Sequence, residues 1–232
     1  MPQSVFTDDR PARQDVISDP GEADHISIRI RKCPRWKRVL DVVGASLLLV
    51  CLGPVLGLIA LYIKLVSRGP ALFVQERLGL GGEYFRIYKF RTMLVTEVSR
   101  DSAHREFVNS HSQSNSKLEK PDVRSQLIPG GRLLRQLSID EFPQLLNVLQ
   151  GNMSLVGPRP DLMHLCDYET CQLRRFEVLP GMTGLWQVSG KNETTFEEMM
   201  SLDVAYIDQL SFGMDLKILA KTVFVLIYNR NE

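Results

Sequence analysis

The stretch from Val39 to Val66 constrains this chain most. Apart from Asp41 and Lys64 it is almost entirely apolar or small. As a straight helix it would reach ~42 Å, against a bilayer hydrocarbon core of ~30 Å. Soluble helices rarely stay apolar on every side over such a length, so a membrane-embedded segment is expected. Gly53-Pro54 falls in its middle, where proline removes a backbone hydrogen bond and kinks the helix. Both flanks are basic. Arg29, Arg31, Lys32, Arg35, Lys37 and Arg38 precede the run; Lys64, Arg68 and Arg77 follow it. A single span with the first cluster inside would put everything after residue 66 outside. A helix that dips in, breaks at Pro54 and returns to the same face satisfies both flanks, provided the backbone groups freed at the break find partners. Both topologies stay open; the flanking charges favour the re-entrant one.

The net charge is only +1, so the basic cluster is local. With an apolar segment directly behind it, a patch facing anionic lipid is a better reading than nucleic-acid binding. Residues 1–28 are polar and lack periodicity, and a disordered tail is expected there. The apolar run is too long for a signal-peptide core and no small-residue cleavage site follows it, so no leader is expected. Cys33, Cys51, Cys166 and Cys171 show no paired spacing and read as packing residues in a reduced compartment.

Beyond residue 66 the pattern changes. Ala71–Arg77 and Glu83–Phe90 read as strands. The glycines of Leu78-Gly-Leu-Gly-Gly82 between them suit a hairpin turn, because no helix follows as a phosphate loop would need. Residues 94–121 are polar and read as an exposed excursion; its His104 and His111 lack metal-ligand spacing. Gly131–Leu137 is a short amphipathic helix carrying Arg132 and Arg135. Asp161–Phe176 reads as a charged helix, Pro180–Gly190 as a glycine-punctuated loop, and Phe196–Leu210 and Phe212–Tyr228 as helices. The last is apolar enough to pack in the core or to lie in a membrane interface.

Chemistry concentrates in Ser138-Ile-Asp-Glu-Phe-Pro-Gln144. Asp140 and Glu141 are adjacent acids just before a proline. Ser138 and Glu141 have capping-box spacing, which offers a purely structural reading. Proline is comfortable only in a helix's first turn, so Pro143 moves the expected helix start to Asp140. In either register the acids sit at the positive end of a helix dipole, a place that also receives phosphate. The functional reading makes one carboxylate a nucleophile and the other a Mg2+ ligand, since Mg2+ takes one or two carboxylates plus substrate phosphates. Lys89, Arg91, Arg135 and Arg159 are cations that could offset charge on a phosphoryl group.

Five motifs occur in fixed order: Ser67-Arg-Gly-Pro-Ala-Leu-Phe-Val-Gln75, Lys89-Phe-Arg-Thr-Met93, Leu134 to Asn147 around the acidic pair, Met153-Ser-Leu-Val-Gly-Pro-Arg-Pro160, and Pro180-Gly-Met-Thr-Gly-Leu-Trp-Gln187. Together they resemble the bacterial sugar transferase family, the monotopic phosphoglycosyl transferases, from about Trp36 to the C-terminus. Ile139 and Phe142 replace the usual leucines beside the acids, and the 94–121 excursion is longer than in the smallest members. The resemblance implies transfer of a sugar-1-phosphate from a UDP-sugar to polyprenyl (undecaprenyl) phosphate, with release of UMP. It implies Mg2+ as cofactor and a covalent intermediate. Asp140 would be the nucleophile, Glu141 the metal contact, Arg135 and Arg159 the phosphate and nucleotide contacts, with Lys89 matching the family's motif lysine and Pro54 the break of a re-entrant helix. It also implies a short, catalytic-domain-only form at the bacterial cytoplasmic membrane, with the active site on the cytoplasmic face, beginning a surface polysaccharide or glycoprotein glycan.

The expected fold is therefore α+β and mainly helical, with a re-entrant membrane helix, a small β-hairpin and amphipathic interfacial helices around an Asp-Glu site. The expected division is a tail (1–28), a basic segment with the membrane helix (29–66), and a catalytic domain (67–232). Expected partners are the UDP-sugar, the lipid phosphate and the bilayer, and not nucleic acid. A homo-oligomer is compatible with the sequence. Two rival functions stay open: a transferase that uses both acids for metal without a covalent intermediate, and a membrane-anchored, non-catalytic scaffold of glycan assembly. The transferred sugar is not legible in these motifs.

Overall fold

The computed structural model of the chain describes residues 28–94, 127–190 and 194–228. The expected tail up to residue 27, almost all of the 94–121 excursion, and its two histidines lie outside the described residues.

Helix α1, Arg35–Val66, is a 32-residue helix with Pro54 inside it. In its most apolar stretch only 6% of residues are buried, which rules out an ordinary core helix. Val39, Val43, Leu47, Val50, Leu58, Leu61 and Leu65 are all exposed. Yet both ends of α1 are fastened to the rest of the protein. Near its start Ala45 joins the main core with Leu145, Val148, Leu155 and Tyr206. Near its end Ile63 packs with Ala71, Phe90, Ile128 and Leu134.

Strands β1 (Leu72–Leu78) and β2 (Tyr84–Phe90) form the expected antiparallel hairpin, with Phe73 opposite Lys89 and Leu78 opposite Tyr84. Gly81 and Gly82 turn it with φ of 68° and 81°, a left-handed conformation that favours glycine. Helix α2 is Gly131–Gln136. A 3-10 segment, Ile139–Gln144, then runs into α3, Leu145–Gln150. Strands β3 (Ser154–Val156) and β4 (Gly181–Thr183) pair in parallel, the first inside the Met153–Pro160 motif and the second inside the stretch that reads from sequence as a loop. Helices α4 (Phe196–Asp208) and α5 (Phe212–Tyr228) close the fold. A capping box at Thr195 and Glu198 starts α4.

Four expectations are corrected. The helix at the acidic pair starts at Ile139, not Asp140, and stays 3-10 up to Gln144. Pro143 has no N–H to give, so the α-helical register begins only at Leu145. The charged helix at 161–176 is replaced by two short 3-10 turns, Leu165–Asp167 and Gln172–Glu177. All four cysteines are exposed and unpaired, so none packs the core. Finally, part of the basic cluster points inward. Lys37 is buried and bonds Asp215, Tyr206 and the Val156 carbonyl, and Arg38 bonds the Val148 and Leu149 carbonyls.

Candidate active site

The candidate site is assembled from the 3-10 segment that leads into α3, from β2 and from the turn after β3, and one side chain ties α3 to β2. Asn147 on α3 is buried. Its Oδ1 accepts from the Tyr88 N–H (3.0 Å) and its Nδ2 donates to the Arg86 carbonyl (2.6 Å). The amide thus pairs with β2 as another strand would and sets the acidic pair beside Lys89.

Upstream of the acids the backbone is bent sharply. Ser138 has φ 54°, and among the described residues it is the only non-glycine in the left-handed region. Such a residue costs about 1–3 kcal/mol and persists only where the surroundings hold it. Its carbonyl accepts from the Glu141 N–H (3.2 Å), and its side chain does not cap the helix. The strain lifts Asp140 and Glu141 toward β2 and the turn at 158–160.

The two acids then meet different fates. Glu141 is saturated with cations. Arg159 grips it with both Nη1 (3.0 Å to Oε2) and Nη2 (to Oε1), and Lys89 Nζ lies 3.1 Å from Oε1. Asp140 accepts no hydrogen bond among the described residues. Burial, then the neighbouring Glu141 charge, pushes its carboxyl up to about 6, while Lys89, Arg135 and Arg159 pull the other way. Burial also pushes the Lys89 ammonium down, with Glu141 opposing and Arg159 and Arg77 adding to the effect. Asp140 is therefore a half-buried carboxylate, ionised near neutrality, within the field of three cations and short of partners.

Arg135 is exposed on α2, and its charge reaches Asp140. Arg91 lies apart from this group. It is buried, and its guanidinium bonds the Arg68 carbonyl (2.6 Å) and the Ser67 carbonyl and hydroxyl (3.0 and 2.8 Å). There it satisfies the chain leaving α1. The structure thus brings together Asp140, Glu141, Lys89, Arg135 and Arg159, and places Arg91 and Pro54 elsewhere.

No group of three or more acidic, histidine or cysteine side chains able to hold a metal occurs among the described residues. Two adjacent carboxylates are nonetheless a hard-oxygen donor set of the kind Mg2+ accepts when phosphates supply further ligands. The residues fit the ion in kind; Glu141 already bonds Arg159 and Lys89.

Arg159 sits in a turn that sequence reasoning treated as one motif among several. Three successive carbonyls of that turn are held from outside it. Pro158 accepts from the Gly181 N–H (2.8 Å), Arg159 from Arg175 (2.7 Å), and Pro160 from Arg77 (3.3 Å). A side chain on Gly181 would overlap the Gly157 backbone, which explains the glycines that flank this contact. Asn147 and Arg175 carried no local signal; each acts on a segment far away in sequence.

Comparison with known proteins gives a consistent picture. The family profile described as bacterial sugar transferase matches residues 33–229. The chain is 44% identical over 188 residues to the uncharacterized sugar transferase EpsL of Bacillus subtilis, covering 81% of this chain and 85% of that protein. It is 45% identical over 204 residues to the UDP-glucose:undecaprenyl-phosphate glucose-1-phosphate transferase of Caulobacter vibrioides, covering 84% and 71%. It is 40% identical over 199 residues to the galactosyl transferase CpsE of Streptococcus agalactiae, covering 82% of this chain but 42% of that longer protein.

Proposed function

The chain belongs to the bacterial sugar transferase family, and from that premise we propose that it moves a sugar-1-phosphate from a UDP-sugar to undecaprenyl phosphate through an aspartyl phosphosugar. The observation that carries the chemistry is the contrast within the acidic pair: Asp140 lacks a hydrogen-bond donor among the described residues beside a Glu141 that gathers Arg159 and Lys89. A nucleophile must be ionised and unencumbered; a positioned neighbour can hold the cations ready.

In this reading the diphosphate of the donor enters among Lys89, Arg135 and Arg159. An Asp140 carboxylate oxygen attacks the β-phosphorus. The bond from that phosphorus to the bridging oxygen breaks, and UMP leaves with the bridging oxygen. An oxygen of undecaprenyl phosphate then attacks the same phosphorus. The aspartyl O–P bond breaks, the lipid diphosphate sugar departs, and Asp140 is restored. Glu141 would hold Mg2+, which when bound offsets charge on the diphosphate. Arg159 and Lys89 keep Glu141 in place before the donor arrives and offer their charge to its phosphates afterwards.

The acceptor is a lipid, so the site must work at membrane height. Two observations support a re-entrant α1. The apolar faces of α1 are exposed, and both its ends are fastened to the body that carries the site, through Lys37, Arg38 and Asp41 at one end and Tyr62, Ile63 and the Arg91 contact at the other. A straight helix of its length, ~48 Å, would carry those ends to opposite faces of a bilayer. Exposed Phe212, Leu216, Val223 and Phe224 give α5 an apolar face for the interface.

The test is UMP release from a panel of UDP-sugars in the presence of undecaprenyl phosphate. Release with at least one donor, abolished in Asp140→Asn, is expected. No release with any donor would support the scaffold reading instead.

A further inference from the structure

Arg159 grips Glu141 with two nitrogens, yet it stands on a turn with no regular structure of its own. What holds that turn is a buried guanidinium outside the site. Arg175 is 3% exposed. Its Nη2 donates to the Arg159 carbonyl (2.7 Å) and lies 3.1 Å from Asp203 Oδ2; its Nη1 donates to the Tyr168 hydroxyl (3.2 Å) and to Asp161 Oδ2 (3.5 Å). The guanidinium also lies over the Tyr168 ring, 5.6 Å from its centre, and 5.8 Å from that of Phe176. Two acids therefore balance one buried cation, and the guanidinium spans them and the turn at once.

We propose that Arg175 is a positioning residue for the phosphate-transfer site: it fixes the Arg159 peptide and so aims the Arg159 guanidinium at Glu141 and, in the reaction, at the donor diphosphate. The inference rests on the function proposed above for that last clause only. It follows from how the turn is built. Pro158 and Pro160 fix their own φ and contribute no N–H, so the turn cannot hold itself by backbone donation at those positions. Its orientation is set by donors to its carbonyls. Gly181 fixes the first and Arg77 the third. Among the described residues Arg175 fixes the middle one, the carbonyl of Arg159 itself. Rotation of that peptide would swing the whole Arg159 side chain. A planar fork can serve carbonyl, phenol and carboxylates in fixed directions, whereas a lysine ammonium is a single point. Arg175 does not itself reach Glu141, so it acts through Arg159.

The experiment is a double-mutant cycle in full-length, membrane-embedded protein, read by UMP release and by hydrogen exchange. Arg175→Lys keeps the charge between Asp161 and Asp203 but loses the fork. In the wild-type background it is expected to lower kcat/KM on the order of 30-fold, within the range a misplacement of ~1 Å can cost. In an Arg159→Lys background, which keeps a cation and has already lost the two-nitrogen grip, the same change should cost less than about 2-fold. Equal losses in both backgrounds, or no loss in the first, would overturn the proposal, because a merely structural role multiplies through both. Exchange gives a readout that does not depend on the proposed reaction. Arg175→Lys should speed exchange of the Gly157 and Gly181 amides relative to the rest of the chain, and unchanged rates there would also overturn it. Should Arg175→Lys fail to accumulate, Tyr168→Phe replaces it in the same cycle. A loss that vanishes in the Arg159→Lys background supports the proposal, and a loss that persists, or none, refutes it. If wild-type protein releases no UMP while the exchange result holds, the reaction is wrong and the positioning role stands.

Discussion

Two lysine–carboxylate pairs contrast a contact that holds with the one proposed to react. Lys37 and Asp215 meet at 2.7 Å with side chains 3% and 1% exposed. Tyr206 bonds Asp215 Oδ1 and the Val156 carbonyl, and Lys37 takes that carbonyl as well, so the knot is closed. Lys89 and Glu141 meet at 3.1 Å with side chains 17% and 20% exposed. That pair is open to an entering anion, shares its carboxylate with Arg159, and stands next to an acid without a donor among the described residues. A closed buried pair fastens the long apolar helix α1 to β3. An accessible, over-supplied pair beside an under-supplied acid is what the proposed reaction asks of a site. The same chemistry suits an anchor or a candidate active centre according to solvent access and whether each group's bonding capacity is filled.

The contrast can be broken most sharply at its two centres. Asp140→Asn removes the proposed nucleophile with little change in shape. UMP release should fall by at least about 10^4-fold while the protein stays folded and in the membrane; retention of a tenth of the rate would put Asp140 outside the chemistry. Lys37→Ala leaves Asp215 buried without its cation. Stability should drop by about 3–5 kcal/mol, read as a lower unfolding midpoint in detergent, while the rate per folded molecule is kept. A normal midpoint would mean that the knot is not an anchor.

The pH dependence sharpens the comparison with a smaller effect. The Asp140 carboxyl is raised to about 6, chiefly by burial, and must be ionised to attack. Below pH 6 kcat/KM should therefore fall about tenfold per unit, and above it the profile should level off. In Asp140→Glu any residual activity should show a shifted limb; an unchanged limb would assign the titration to another group. Arg91→Ala should have the smallest effect on the reaction. It removes hydrogen bonds at the end of α1 and should cost about 1–3 kcal/mol of stability. KM for the UDP-sugar should stay within about twofold, since Arg91 does not face Asp140 or Glu141. A large rise in KM would restore it to the substrate site.

How much of this was legible in the sequence follows the range of the forces involved. The long apolar helix α1, the hairpin and α5 were readable because periodicity and apolar length are local. Asp140, Glu141, Lys89 and Arg159 were readable as motifs, but not the asymmetry that leaves one acid without a donor among the described residues and the other gripped. Asn147, Arg175 and the Lys37–Asp215 knot were not readable, because each joins segments far apart in sequence. The expected helix at 161–176 failed for a short-range reason. Asp161 accepts from the Leu162 N–H, Asp167 from the His164 N–H, and Gln172 from the Glu169 N–H. Side chains that capture nearby backbone donors compete with the helix for them. The charges in that stretch serve tertiary pairs instead, Asp161 with Arg175 and Arg174 with Asp208.

The most direct measurement of the central claim is covalent capture. Purified protein in lipid is incubated with a UDP-sugar labelled in the sugar, without undecaprenyl phosphate, then digested and read by mass spectrometry. The account predicts a sugar-phosphate adduct on the peptide containing Asp140, present in the wild type, absent in Asp140→Asn, and discharged on addition of undecaprenyl phosphate. A donor that supports turnover yet leaves no adduct on Asp140 would contradict it, and would make both acids ligands of a direct transfer.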